Sequence, residues 1–134
     1  MTVIHVPMRL DAQGINDLIA RTSAKDTLLF EGIYTITQTL HFKNDHRYKG
    51  VRAIFVARGA DPVIEVEPGM APTKNLLQRA FALMMRHLHH PIPRGEIRGF
   101  VLIVPGSGTS SAANGILLRG VMSFLCRDTH VVYV

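Results

Sequence analysis

Apolar and polar positions change period several times along the chain, and each change predicts a different element. Over residues 11–24, Ile15, Leu18 and Ile19 fall at i, i+3 and i+4. That spacing is one apolar stripe of a short helix, with Asp11 as its N-cap and Asp17 in its early part. After Asp26 the period shortens. Thr27–Phe30 is a short apolar strand, Glu31-Gly32 reads as a turn, and Ile33–Thr37 alternates with period two. Leu40–Phe42 alternates again before a polar turn at Lys43–Asp45, and Val51–Val56 follows. Gly59–Pro62 interrupts the chain, Val63–Val66 resumes it and Pro68-Gly69 ends the segment.

Residues 74–90 return to helical spacing through Leu77, Ala80, Phe81, Met84 and Leu88, flanked by Leu76 and Met85. Thr73 is placed to cap this helix, and Pro91 and Pro93 stop it. Its period differs from its surroundings, so it reads as a helical insertion in one domain spanning residues 1–134. Strand patterns follow at Ile97–Val104, Ile116–Leu118, Val121–Cys126 and Val131–Val134, with a small-residue loop over 106–115.

A short basic-Gly-apolar step recurs. Arg98-Gly99-Phe100 and Arg119-Gly120-Val121 match at an offset of 21 residues, and Lys49-Gly50-Val51 lies 49 residues before the first of them. Discounting the helical insertion leaves about one coil between the earlier copies, as in a solenoid. Glycine at this step fits a turn with positive φ or a close approach of two backbones. Hairpin signals are nearly absent apart from Asn114-Gly115, which ends a ten-residue loop. That argues against a sandwich and for parallel pairing between coils. The expected fold is mainly β, a short right-handed parallel β-helix of about three to four coils with an N-terminal capping helix.

Composition sharpens this picture. Apolar residues make up 47% of the 134 residues, charged residues 19%, aromatics 7%, and Trp is absent. Core filling therefore falls to Val, Ile, Leu and Met, as in stacked parallel sheets. The net charge is +5, yet the basic residues are scattered without a run, which points away from specific nucleic-acid binding. One cysteine, Cys126, excludes an internal disulfide framework and reads as a small buried residue in an apolar run. No secretory leader and no apolar stretch of membrane-spanning length is visible, so the chain reads as made in the cytoplasm and not membrane-bound.

With these motifs in place, the chain resembles the pectin-lyase-like right-handed parallel β-helix proteins. Gln13–Ala20 looks like the helix that caps such folds, and Asp26–Ile36, with its Gly32-x-Tyr34 step, is similar to their first coil. Asn114–Gly120 looks like a later coil. The family includes pectate and pectin lyases, polygalacturonases, bacteriophage tailspikes and other virion proteins. This chain has room for far fewer coils than the enzymes, and none of their catalytic residues transfers onto it.

Candidate chemistry is sparse. Glu65 and Glu67 lie two apart on a strand and share one face, which reads as a solvated surface. Asp128 and His130 share that spacing without a nucleophile beside them. His87 and His90 lie i, i+3 apart with His89 between them, and read as a polar helix end rather than a metal site. Gly106–Thr109 lacks the lysine and spacing of a phosphate-binding loop. No catalytic, cofactor-binding or metal-ligating residue is therefore assigned.

The chain stops inside the apolar run Val131, Val132, Tyr133, Val134, with no polar cap behind it. These four, together with Leu77, Phe81, Met84 and Met85, are the candidate subunit contacts. The expectation is a non-enzymatic structural subunit and homo-oligomer, with virion proteins as further partners. A bacteriophage capsid decoration or tail protein fits that description. The trimer is what the tailspike resemblance implies. A carbohydrate-binding or polysaccharide-cleaving β-helix is the alternative.

Overall fold

The computed structural model describes residues 2–24, 26–67, 95–105, 115–118 and 124–134. Among them the fold is mainly β with one helix. The strands are β1 (Val3–Val6), β2 (Thr27–Ile36), β3 (Leu40–Lys43), β4 (Arg47–Ala57), β5 (Ile64–Glu67), β6 (Glu96–Val104), β7 (Ile116–Leu118), β8 (Leu125–Arg127) and β9 (His130–Tyr133). The helix α1 (Ala12–Ala20) follows β1. The expected insertion at 74–90, with Leu77, Phe81, Met84 and Met85, lies outside the described residues, as do the 106–114 loop and the Arg119-Gly120 step.

Among the described residues all strand pairing is parallel. One sheet, called A, runs β1-β2-β4-β6-β8, with β9 also on β6, and the other, B, runs β3-β5-β7. From β2 to β8 successive strands alternate between the two sheets, and each pairs with the strand two elements later. The sequence permits this because strand connections here are not tight hairpins, as parallel neighbours require.

Buried side chains stack in register between the sheets. Leu28, Tyr48 and Ile97 form one column of sheet A, and Tyr34, Phe55 and Leu102 another. Leu40–Ile64 and Phe42–Val66 answer from sheet B. Phe42 stacks on Tyr48 with centroids 3.8 Å apart, and Phe30 meets Tyr34, Phe55 and Phe100 edge-on within 5.4 Å. Such pairs add about 0.5–1.5 kcal/mol each beyond burial.

Helix α1 closes one end. Asp11 caps it by accepting from Gly14 N at 2.8 Å, and Ile15 and Ile19 are buried. Asn16 then treats the free edge of β3 as a neighbouring strand would. Its Nδ2 donates to Thr39 O at 3.0 Å, and its Oδ1 accepts from His41 N at 2.8 Å. An otherwise bare backbone edge is thus satisfied by one amide side chain.

Three sequence expectations change. Glu31-Gly32 is not a turn, because β2 runs through it with a bulge, and Gly32 supplies φ +106°. Similar left-handed residues occur at one level of the later strands of sheet A: Arg52 (φ 52°), Gly99 (φ 84°) and Asp128 (φ 47°), the last in the break between β8 and β9. Together they make a shared corner that divides sheet A into a lower and an upper part. Second, Lys49 does stack on Arg98, and the next residue of that row is Arg127, which no glycine follows. Ile116–Leu118 belongs to sheet B. Third, Cys126 is exposed. It lies in register with buried Ile97, but no described strand pairs on the far side of β8. The shelter it has from β6 still pushes the thiol pKa up.

Candidate functional site

The outward positions of the two sheets form three chemically distinct surfaces. Above the corner, the outward rows of sheet A are Ile33–Ile54–Val101–His130 and Thr35–Val56–Ile103–Val132. Six of these eight side chains are β-branched aliphatics. Ile33 is 60% exposed and Val132 43%, and the four between them are half-buried by their strand neighbours. A solvated sheet face ordinarily alternates to polar residues, and this apolar surface departs from that pattern.

Beside it, β9 and the other last strands leave inward-phase apolar residues uncovered. Leu118 is 49% exposed, Val131 37% and Tyr133 51%, although each is in register with a buried residue of the strand before. Of the expected contact residues, Val132 therefore belongs to the outer face. Val131 and Tyr133 belong to the end of the core, and Val134 is 60% exposed beyond β9.

Below the corner the outer face of sheet A is basic. Lys49, Arg98 and Arg127 occupy one row on β4, β6 and β8, all exposed and without an ion pair to any described residue. Neighbouring strands lie about 4.8 Å apart, so three like charges stack along the sheet at unfavourable spacing. Arg47, one row away, faces Glu96 in register. A depression of about 290 Å³ opens between Val3, Leu29, Arg47 and Lys49.

The outer face of sheet B carries His41 and Lys43 from β3 and Glu65 and Glu67 from β5. His41 faces Glu65 in register, Glu67 lies two positions further on, and His41 Nδ1 is 2.7 Å from Glu67 Oε1. Glu65 and Glu67 do share a face as the spacing requires. His41 is the member that sequence inspection missed, because it lies 26 residues from Glu67 and only the ladder joins them. Nearby, His46 is 2% exposed, with Nδ1 2.7 Å from Asp45 Oδ1 and Nε2 unpartnered among the described residues. Burial pushes the Tyr48 phenol far above its ordinary range, although the Lys43 amide donating to its oxygen at 2.8 Å opposes the shift. Asp128 sits in the break before His130, and the histidines at 87, 89 and 90 lie outside the described residues.

No protein-family model, curated protein or solved structure matches this chain. Among the described residues, no helix is long and apolar enough to cross a membrane.

Proposed function

We propose that this chain is a non-enzymatic structural subunit that acts by self-association, and that its two parallel sheets are the winding of a short right-handed β-helix. The alternation of strands between the sheets and the corner repeated at Gly32, Arg52, Gly99 and Asp128 support the winding. Right-handedness follows from the strong bias of parallel crossovers. The pectin-lyase-like resemblance supplies the setting, a bacteriophage capsid decoration or tail component, and favours a trimer.

The observation that carries the reading is the apolar upper face of sheet A, centred on Ile54, Val56, Val101 and Ile103. Its occupants are the same faces of two further copies, gathered about a three-fold axis. The surface is flat, β-branched and free of acidic or basic side chains apart from His130 at its rim, so it offers shape and apolar area rather than charge selectivity. The basic row lies on the other side of the corner, where self-association leaves it at the rim.

Sedimentation equilibrium of the wild type and of the Ile33→Lys/Val132→Lys variant tests this reading. Both substituted residues are exposed, so the variant keeps its far-ultraviolet circular dichroism. The wild type is expected to sediment as a trimer and the variant as a monomer. A monomeric wild type, or an assembly unchanged by the two lysines, overturns the reading.

A second reading, binding of an acidic glycan, is favoured by the unpaired row Lys49, Arg98 and Arg127. It requires binding of polyuronate that weakens with salt and with Arg98→Gln.

A further inference from the structure

We propose that His41, Glu65 and Glu67 form a surface site for a divalent transition ion of the zinc type, an inference independent of self-association. One donor atom from each residue lies within 4.8 Å of the other two. The backbone positions are fixed by the parallel ladder, which sets His41 directly opposite Glu65 and brings Glu67 to the imidazole by a diagonal step. Asn16 holds the amide of His41 from the free side at 2.8 Å, so the strand carrying the nitrogen donor is anchored on both edges.

The donor set chooses the class of ion. Two carboxylates and a neutral imidazole carry two negative charges and balance a divalent cation. The nitrogen donor favours zinc-like ions over calcium or magnesium, which prefer all-oxygen shells. Tetrahedral bonds of zinc length hold two donors about 3.3 Å apart, so the His41–Glu67 contact opens from 2.7 Å by a small amount. Both side chains are close to half exposed, which leaves them room to make that adjustment and gives the ion direct access from solvent. Water completes the shell. The ion takes the place of the Nδ1–H···carboxylate hydrogen bond, and the single proton of the neutral ring then sits on Nε2, so no net proton is lost. Glu65 has an interaction of its own and Lys43 faces Glu67 in register, so the ion competes with both.

The test is calorimetric titration of the full chain with zinc chloride, with magnesium chloride as the control. The wild type, His41→Ala, Glu67→Gln and a His87→Ala/His89→Ala/His90→Ala variant are compared. The triple variant separates this site from the histidines at 87, 89 and 90. The expected result is one zinc ion per chain, at least about tenfold weaker in His41→Ala and in Glu67→Gln, and retained in the triple variant. A matching rise in melting temperature with zinc appears in the wild type and is absent from the two single variants. Equal zinc affinity in wild type, His41→Ala and Glu67→Gln overturns the proposal. So does loss of binding in the triple variant alone, or zinc binding no tighter than magnesium.

Discussion

Tyr34 offers a clean perturbation of the core. Its ring is fully buried between Phe30 and Phe55, with centroids 5.4 and 5.5 Å away. Its hydroxyl donates to Val6 O at 2.6 Å and accepts from Glu31 N at 3.0 Å, tying β1 to the bulge of β2. Tyr34→Phe keeps the ring and its edge-on contacts, so no cavity term arises. Two hydrogen bonds contribute about 1 kcal/mol each net, and an orphaned buried partner costs about 1–3 kcal/mol. Glu31 is exposed, so its amide turns to water, whereas Val6 is 4% exposed and its carbonyl is left less well satisfied. Removing the hydroxyl also removes its own desolvation cost. The net loss is about 1.5 kcal/mol, which for a chain of this size lowers the melting temperature by roughly 5 °C. Calorimetry measures that shift, and amide exchange locates it. Exchange at Glu31 and along β1 should quicken, and exchange in β6 should not. A melting temperature within about 1 °C of wild type, with unchanged exchange at Glu31, refutes the reasoning.

Three further outcomes follow from the same geometry. Burial is the larger influence that raises the Tyr34 and Tyr48 phenols, against backbone hydrogen bonds that lower them. Their contribution to stability is therefore complete below the unfolded phenol value near 10 and falls as pH rises above it, by up to about 1.4 kcal/mol per pH unit for each ring. Urea midpoints between about pH 9 and 11 should fall more steeply for the wild type than for Tyr34→Phe/Tyr48→Phe. Gly99→Ala places a Cβ at positive φ and against the carbonyl of Gly50, so a loss of about 2 kcal/mol or more is expected in urea unfolding. Arg98→Glu converts the row Lys49–Arg98–Arg127 from repulsive to alternating. It should stabilise the fold by about 0.5–1 kcal/mol at low salt, with the gain shrinking as salt is added.

Elements fixed by local chemistry were legible in the sequence. The 3.6-residue stripe of Ile15, Leu18 and Ile19 behind Asp11 marked α1, and the alternation at Leu40–Phe42 and the resumed strand at Val63–Val66 marked β3 and β5. What depends on register was not legible. Glu31-Gly32 carries the composition of a turn, and only the partner strand makes it a bulge. The basic-Gly step at Arg119 is the same three-residue pattern as at Arg98, but stacking selects Arg127 at a spacing with no matching glycine. Phe100–Val104 is an unbroken apolar run, so its sequence does not separate buried Phe100, Leu102 and Val104 from Val101 and Ile103, which point outward. The His41 and Glu67 contact likewise needs the β3–β5 ladder before it exists at all.

Parallel stacking underlies the apolar face, the basic row and the acidic cluster alike. The most direct measurement of it is the set of cross-strand nuclear Overhauser effects of the deuterated, backbone-labelled protein. Amide contacts joining Ile54 with Val101, Lys49 with Arg98, Arg98 with Arg127 and His41 with Glu65 are expected, without the short α-proton pairs of antiparallel neighbours. Strong α-proton contacts between these strands, or contacts placing Arg98 beside Arg119, would contradict the account.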